Sequence, residues 1–275
     1  MPELPEVEYV RRLLRRAMAG ARIARVLLRR PNLRYPFPPD FVARLEGQHV
    51  HAVRRRAKYL LIDLASGDVL LMHLGMSGWF RVVRRAAAGR NGPPHETHDH
   101  VVFEMSNGRI VVFSDPRRFG FMTLHAAGEL ATHATLSKLG AEPLGRGFDA
   151  AALAEELGRR KTSLKVALLD QRVIAGLGNI YVSEALHRAR LSPKRRASTL
   201  ATNSGAPRPP LYDLVAAIGE VLNKAIRNQY RTGSDDPFVV YDKEGERCPR
   251  RGCPGTITRI VQAGRSTFYC RTCQR

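Results

Sequence analysis

Residues 49–74 read HVHAVRRRAKYLLIDLASGDVLLMHL, and this stretch decides the fold. Two short runs rich in Val, Tyr, Leu and Ile, 49–54 and 58–64, are followed by Ser66-Gly67-Asp68, a hairpin turn signal, and then by a third run, 69–74. Similar runs recur downstream at 79–83, 100–105, 110–114 and 119–124, with Ser106-Asn107-Gly108 as a second hairpin signal. Short strands at this spacing predict an antiparallel β-sandwich or barrel between about 22 and 125.

The period changes on either side. Residues 5–18 form an amphipathic helical pattern, with Val7, Val10, Leu14 and Ala17 or Met18 on one face and arginines on the other. Pro5 suits a first helical turn, and Glu6 and Glu8 suit the positive end of a helix. Beyond the β-rich part, helical patterns are predicted at 150–158, 162–171, 180–189 and 210–228, with a Pro- and Ser-containing surface loop at 198–210. The expectation is an α+β, multidomain chain. Its parts are a sandwich with the first helix at 1–131, a connector at 132–148, a helical domain at 149–232 and a cysteine module at 239–275.

The 275 residues are 44% apolar, an ordinary globular figure. The charge is not ordinary. There are 45 basic and 25 acidic residues, a net charge of +20, and all but 7 of the basic residues are Arg. The excess is spread along the chain, which favours a surface for a polyanion: nucleic acid first, an anionic membrane second. Arg11, Arg12, Arg15 and Arg16 interrupt the first apolar stretch, so it does not read as a signal peptide. No uncharged run approaches the roughly 18 residues that span a bilayer. The expectation is a soluble, cytoplasmic protein.

All four cysteines lie at the end, as Cys248-x4-Cys253-x16-Cys270-x2-Cys273. Two close pairs a hairpin apart suit one tetrahedral, structural zinc ion; the other reading, two disulfides, is disfavoured inside a cell. Between the pairs, two strands around Gly264 put Arg265 at or just after a hairpin tip. In VIAGLGNIYVSEALHRA, Gly176 and Gly178 precede Asn179, a candidate N-cap, and free amides at a helix start bind phosphate. Arg160, Lys161 and Lys165 lie just upstream and strengthen that reading.

DPRRFG (115–120) joins two strands, and HLGMSG (73–78) holds Met76 between glycines. DPRRFG alone reads as a turn with two solvated arginines and a half-buried Phe119. Together, an exposed Met, an aromatic residue and an arginine on loops are what a base-flipping protein needs to fill an emptied stack and bond the widowed base. Lys58 stands among arginines in RRRAKYLL. It offers a compact ammonium that can lose its proton, which Arg cannot.

Taken together, PELPEVE at the start, RRAKYLL, HLGMSG, HDH, DPRRFG, GLGNIYVSE and GRSTFYCRTCQ resemble the formamidopyrimidine-DNA glycosylases of bacterial base-excision repair. The resemblance runs in order along nearly the whole chain. It implies an N-terminal β-sandwich, a helix–two-turn–helix domain and a zinc finger, acting as a monomer, with double-stranded DNA held between the halves.

The family's activity would be a bifunctional one, with base removal followed by strand nicking through β,δ-elimination. The resemblance implies that the amine of Pro2, freed by loss of Met1, attacks C1′ and becomes a Schiff base. A chain-end amine titrates near 8 against about 10.4 for Lys, so far more of it is free base at neutral pH. Glu3 matches the family's general acid/base, Lys58 its β-elimination proton donor and Arg265 its δ-elimination residue. His98, Arg117, Arg160 and Asn179 match DNA contacts, Met76, Arg117 and Phe119 the void-filling set, and Arg118 a phosphate contact. Cys248, Cys253, Cys270 and Cys273 match the zinc ligands.

One region departs from the family's pattern. Family members carry a Gly-Gly-Ser/Thr stretch and a long loop that closes over the everted base, where this chain has QYRTGSDDPFV around 229–238. Preference for 8-oxoguanine therefore stays open. Two alternatives stand beside the oxidised-purine glycosylase: an endonuclease VIII-like enzyme for oxidised pyrimidines, and a non-enzymatic zinc-containing binder of damaged DNA.

Overall fold

The computed structural model describes residues 2–85, 96–228 and 238–275. The chain divides into two compact units, Met1–Ser137 and Lys138–Arg275.

The first unit opens with helix α1, Leu4–Met18. Its entry is fixed by Pro5 in the first turn and by the Glu6 carboxylate, which accepts the Glu3 amide at 2.8 Å. Val7, Val10, Leu14 and Met18 form its fully buried stripe. Eight strands follow: β1 (Ile23–Leu28), β2 (Val50–Arg56), β3 (Tyr59–Leu64), β4 (Asp68–His73), β5 (Trp79–Arg84), β6 (Asp99–Met105), β7 (Arg109–Ser114) and β8 (Phe121–Ala126). They make two antiparallel sheets, β1-β6-β7-β5 and β2-β3-β4-β8. Phe80, Val101, Phe103 and Phe113 of one sheet share a core with Leu60, Ile62, Leu70 and Met72 of the other and with the α1 stripe.

Departures from the sequence expectations have local causes. Strand β1 escapes a period-2 pattern because its pairing shifts register between Ile23 and Arg25. The five-residue helix α2, Phe41–Leu45, is too short to show a period. The run expected at 119–124 starts only at Phe121, because the Gly120 amide bonds the Asp115 side chain and not a ladder. Lys58, expected in a strand, lies in the two-residue turn between β2 and β3, where Ala57 takes a positive φ of 51°.

The second unit holds α3 (Ala150–Gly158), α4 (Leu164–Leu169), α5 (Asn179–Arg188), α6 (Pro209–Asn228) and the hairpin β9 (Ile257–Gln262) and β10 (Arg265–Cys270). Leu157, Leu168, Tyr181, Leu186, Leu214 and Leu222 form its core. Helix α5 is buried from Tyr181 to His187, and its Glu184 accepts the amides of Val239, Val240 and Tyr241 at 2.8–2.9 Å. The loop expected at 198–210 is partly ordered: a 3-10 turn spans Ala197–Leu200, Leu200 is buried, and Pro209 and Pro210 start α6. Except for Phe238, the short loop at 229–238 lies outside the described residues.

Glu8 fastens α1 to the sheet. Its carboxylate accepts Arg11 at 2.8 and 2.9 Å and Arg12 at 2.7 Å, and it meets Arg55 of β2 at 3.4 Å. Burial opposes its charge, but the Arg11 and Arg12 hydrogen bonds and the nearby guanidinium charges outweigh burial and take it from the usual 4.5 to about 2. A carboxyl held lower in the folded state stabilises fully above its unfolded value and loses that contribution as pH falls toward its folded one. Glu8→Gln is therefore expected to lower the melting temperature at pH 7. The gap from wild type should close between pH 4.5 and about 2. Parallel melting curves across that window check it; a gap unchanged at the acid end would show that Glu8 acts by packing alone.

Candidate functional site

The first unit brings Pro2, Glu3 and Lys58 onto two neighbouring elements. Pro2 is half-buried and Glu3 is 1% exposed at the head of α1. A chain of contacts then runs from α1 to the Lys58 turn: Glu8 holds Arg55, and Arg55 Nη1 donates to the Ala57 carbonyl at 2.8 Å. Lys58, next in sequence, is half-buried. His73 packs on Tyr59 with ring centroids 5.0 Å apart. Burial, helped by the charges of Lys58 and Arg34, pushes His73 down to about 4, so at neutral pH it is an uncharged acceptor for the Gly75 amide.

The loop residues read as void-filling are presented outward. Met76 is 40% and Phe119 43% exposed, and the Arg117 guanidinium lies 4.8 Å from the Phe119 ring centroid. Arg118 takes a left-handed φ of 56°, an unusual conformation for a side chain with a Cβ, which turns the chain between the two exposed residues. Arg117, Arg118 and Phe119 line an open depression of about 410 Å³ together with Leu33 and Arg34. His98 is exposed, and its carbonyl accepts the Asp115 amide at 3.0 Å. Arg34, which the motifs did not single out, adds a third guanidinium to this depression.

In the second unit two of the expected phosphate contacts turn inward. Lys165 is fully buried, and its ammonium donates to the Ser266 carbonyl at 3.0 Å and the Thr267 hydroxyl at 2.6 Å. As placed, it reaches no solvent and positions the hairpin instead. Asn179 is not the N-cap: Gly178 holds that position, and the Asn179 amide donates to the same Ser266 carbonyl at 2.9 Å. Both side chains thus fix the residue that follows Arg265. Across the hairpin, Gln262 donates to Ser163 and Pro193 at 3.0 and 3.2 Å. Ala263 and Gly264 make the tip with positive φ at both positions, as a tight hairpin turn requires, and Arg265 opens β10 exposed. Arg160 is bonded to Glu156 at 2.8 Å and meets Asp170 at 3.5 Å, while Lys161 is exposed.

The turns between α4 and α5 are held by Gln171, which sequence reasoning missed. Its amide donates to the carbonyls of Leu169 and Leu177 and accepts the Gly176 amide at 2.8 Å. Arg55 and Glu184 were also missed, as was the tie from Glu8 to Arg55: these groups bond partners distant in sequence, and no local pattern announces them.

The four cysteine sulfurs lie within 4.8 Å of one another, with Cys248–Cys273 at 3.8 Å and Cys253–Cys270 at 3.6 Å. Zn–S bonds of about 2.3 Å in a tetrahedron place sulfurs about 3.8 Å apart, so the donors fit zinc. Burial raises Cys248 to about 12 and so opposes its thiolate, and the positive charge of a zinc ion is what makes four close thiolates acceptable. His187 Nε2 stands 3.5 Å from the Cys248 sulfur as an outer support.

A β-sandwich, a helical unit with α4 and α5 joined by tight turns, and a cysteine-stapled hairpin that exposes arginine define a nucleic-acid-processing protein. Three family models match: the formamidopyrimidine-DNA glycosylase N-terminal domain over residues 1–122, its H2TH domain over 139–235, and the zinc finger found in FPG and IleRS over 245–275. The chain belongs to the formamidopyrimidine-DNA glycosylase family. It is 56% identical to the formamidopyrimidine-DNA glycosylases of Bradyrhizobium sp. (strain ORS 278) and Afipia carboxidovorans, with 100% of each chain covered. Among solved structures, the Lactococcus lactis enzyme bound non-covalently to AP-site DNA matches at 31% identity and a TM-score of 0.84 over the full length of both chains. A mutant of that Lactococcus lactis enzyme bound to Fapy-dG DNA matches at 32% and 0.83, again over the full length of both. Among the described residues, no helix is long and apolar enough to cross a membrane.

The protein carries one structural zinc. Cys270→Ser is expected to lose about one zinc per chain and to weaken duplex binding, because the hairpin that presents Arg265 loses its staple. Elemental analysis of wild type and variant, with binding titrations on the same samples, checks both halves; zinc-free wild type would overturn the assignment.

Proposed function

We infer that this chain is a bifunctional DNA glycosylase and abasic-site lyase that removes oxidised purines, working as a monomer in the bacterial cytoplasm on damaged double-stranded DNA. The observation that carries the reading is the buried carboxylate of Glu3 directly behind Pro2, at the head of a helix whose first turn is anchored by Glu6. A protein that only binds damage has no use for a buried acid beside a chain-end amine. The relatives' names and the Fapy-dG complex of the Lactococcus lactis mutant support the substrate class.

In the proposed sequence, Met1 is removed and the Pro2 nitrogen attacks C1′ of the damaged nucleotide. The glycosidic bond breaks, the base leaves with the bonding pair, and Glu3 supplies and takes protons as the sugar ring opens. A secondary amine yields an iminium with no N–H to lose, so its positive charge persists. That cation accepts electrons as a C2′ proton is removed, and the 3′ phosphate departs. Lys58 donates in this β-elimination, and Arg265 serves the δ-elimination that frees the 5′ phosphate. Arg117, Arg118, Arg160, Lys161 and His98 hold the DNA backbone and the widowed base. The zinc ion, when bound, supplies no chemistry; it holds the hairpin.

The expected variant behaviour is specific. Pro2→Gly, or an N-terminal tag left in place, should slow base excision and reduce borohydride trapping on abasic duplex, with some lyase activity surviving in the glycine variant through its primary amine. A tagged protein at full glycosylase turnover would sink the nucleophile assignment.

Weaker discrimination of 8-oxoguanine from guanine is expected from the short stretch at 229–238. A shorter cap offers fewer hydrogen bonds to tell a lesion from guanine, and losing such bonds costs about 1–3 kcal/mol of discrimination. Single-turnover rates on abasic, formamidopyrimidine and 8-oxoguanine duplexes are expected to fall in that order. Excision of 8-oxoguanine as fast as abasic cleavage, with guanine untouched, would show that the short stretch does not limit recognition.

A further inference from the structure

Met76 and Phe119 stand on different loops, yet one buried carboxylate joins those loops. Asp115 is fully buried. Its Oδ1 accepts the Ser77 hydroxyl at 2.5 Å, and its Oδ2 accepts the Gly120 amide at 2.8 Å. The Ser77 oxygen in turn accepts the Arg117 amide at 3.1 Å, and the Asp115 carbonyl accepts the Arg118 amide at 3.2 Å. That carbonyl also accepts His100 Nε2 at 2.9 Å. The loops touch backbone to backbone as well: a Cβ on Gly75 would lie 2.4 Å from the Gly120 nitrogen and 2.7 Å from the Phe119 carbonyl oxygen.

We propose that Asp115 is a positioning residue that locks Met76, Arg117 and Phe119 into one preassembled wedge, which enters the base stack as a unit. The proposal rests on the void-filling reading of those three residues. Inserting side chains works against base stacking, and parts already ordered lose little further freedom on entry. A carboxylate is needed because both of its oxygens accept. An amide in its place has one acceptor oxygen: while that oxygen takes the Gly120 amide, its NH2 faces Ser77 as a donor, so the Ser77 hydroxyl loses its charged acceptor and must turn a lone pair to the amide. Ser77 is the relay: by donating to Asp115 it turns a lone pair toward the Arg117 amide.

The test compares wild type, Asp115→Asn, Ser77→Ala, the double variant Met76→Ala/Phe119→Ala, and the triple variant that adds Asp115→Asn. Two rates are read: single-turnover excision of a formamidopyrimidine from duplex DNA, and borohydride trapping on a single-stranded abasic oligonucleotide, which has no stack to enter. Asp115→Asn is expected to slow duplex excision about tenfold, the effect of losing one charge-assisted hydrogen bond, and to change trapping by less than about twofold. In the double-variant background its cost should shrink to about twofold or less, because two of the three side chains it positions are gone and only Arg117 remains. Should Asp115→Asn fail to fold, Ser77→Ala carries the same comparison with a smaller loss. Equal losses in both rates, or losses that multiply in the triple variant, would overturn the proposal. If Met76→Ala/Phe119→Ala itself leaves duplex excision unchanged, the void-filling reading falls, and the wedge with it.

Discussion

A backbone amide that leaves a helix or ladder and is still buried must find an acceptor, and this requirement governs the irregular segments of the chain. Several candidate site residues, among them Lys58, Met76 and Phe119, lie outside regular ladders, and side-chain carboxyl and carboxamide groups supply acceptors for irregular segments. Glu6 takes the Glu3 amide and Asp115 the Gly120 amide. Glu184 takes three successive amides at the entry to the cysteine module, and Gln171 takes that of Gly176. Each loop gains a fixed shape without joining a sheet, and its outward side chains are aimed before any ligand arrives.

The same groups explain how so basic a chain folds. With 45 basic and 25 acidic residues, carboxylates are outnumbered, and a few of them, Glu3, Glu8, Asp99, Asp115 and Glu184, are buried. Glu8 gathers Arg11, Arg12 and Arg55, and Asp99 binds Arg81. Arginines elsewhere, among them Arg117 and Arg118, stay exposed. An exposed guanidinium costs little in water and attracts phosphate, so the surplus of charge lies at the surface, where a polyanion meets it.

Lysine follows a different rule from the one its charge implies. Lys165 sits beside a basic stretch in sequence but faces inward, because α4 puts it on the side of the helix that meets the β9–β10 hairpin. A lone ammonium can be buried only where oxygens surround it, and the Ser266 carbonyl and Thr267 hydroxyl provide them. Asn179 converges on that same carbonyl, so the turn before α5 and the base of Arg265 are set by one acceptor.

The sequence alone determined the β-rich first part, the helical second part and the cysteine staple, because each has a short-range signature: hairpin turns at Gly67 and Gly108, a 3.6-residue stripe in α1, and paired cysteines. It also marked Met76, which stands exposed between glycines, and, by resemblance to the family, Pro2, Glu3 and Phe119. It could not mark the bulged strand β1, the five-residue α2, or the turn that lifts Lys58 out of its strand, since nothing periodic distinguishes them. Nor did it separate Asp115 from an ordinary turn residue, or Lys165 from a phosphate contact. Those assignments depend on which group lies opposite in space, and tertiary packing alone brings Ser77 to Asp115 and Ser266 to Lys165.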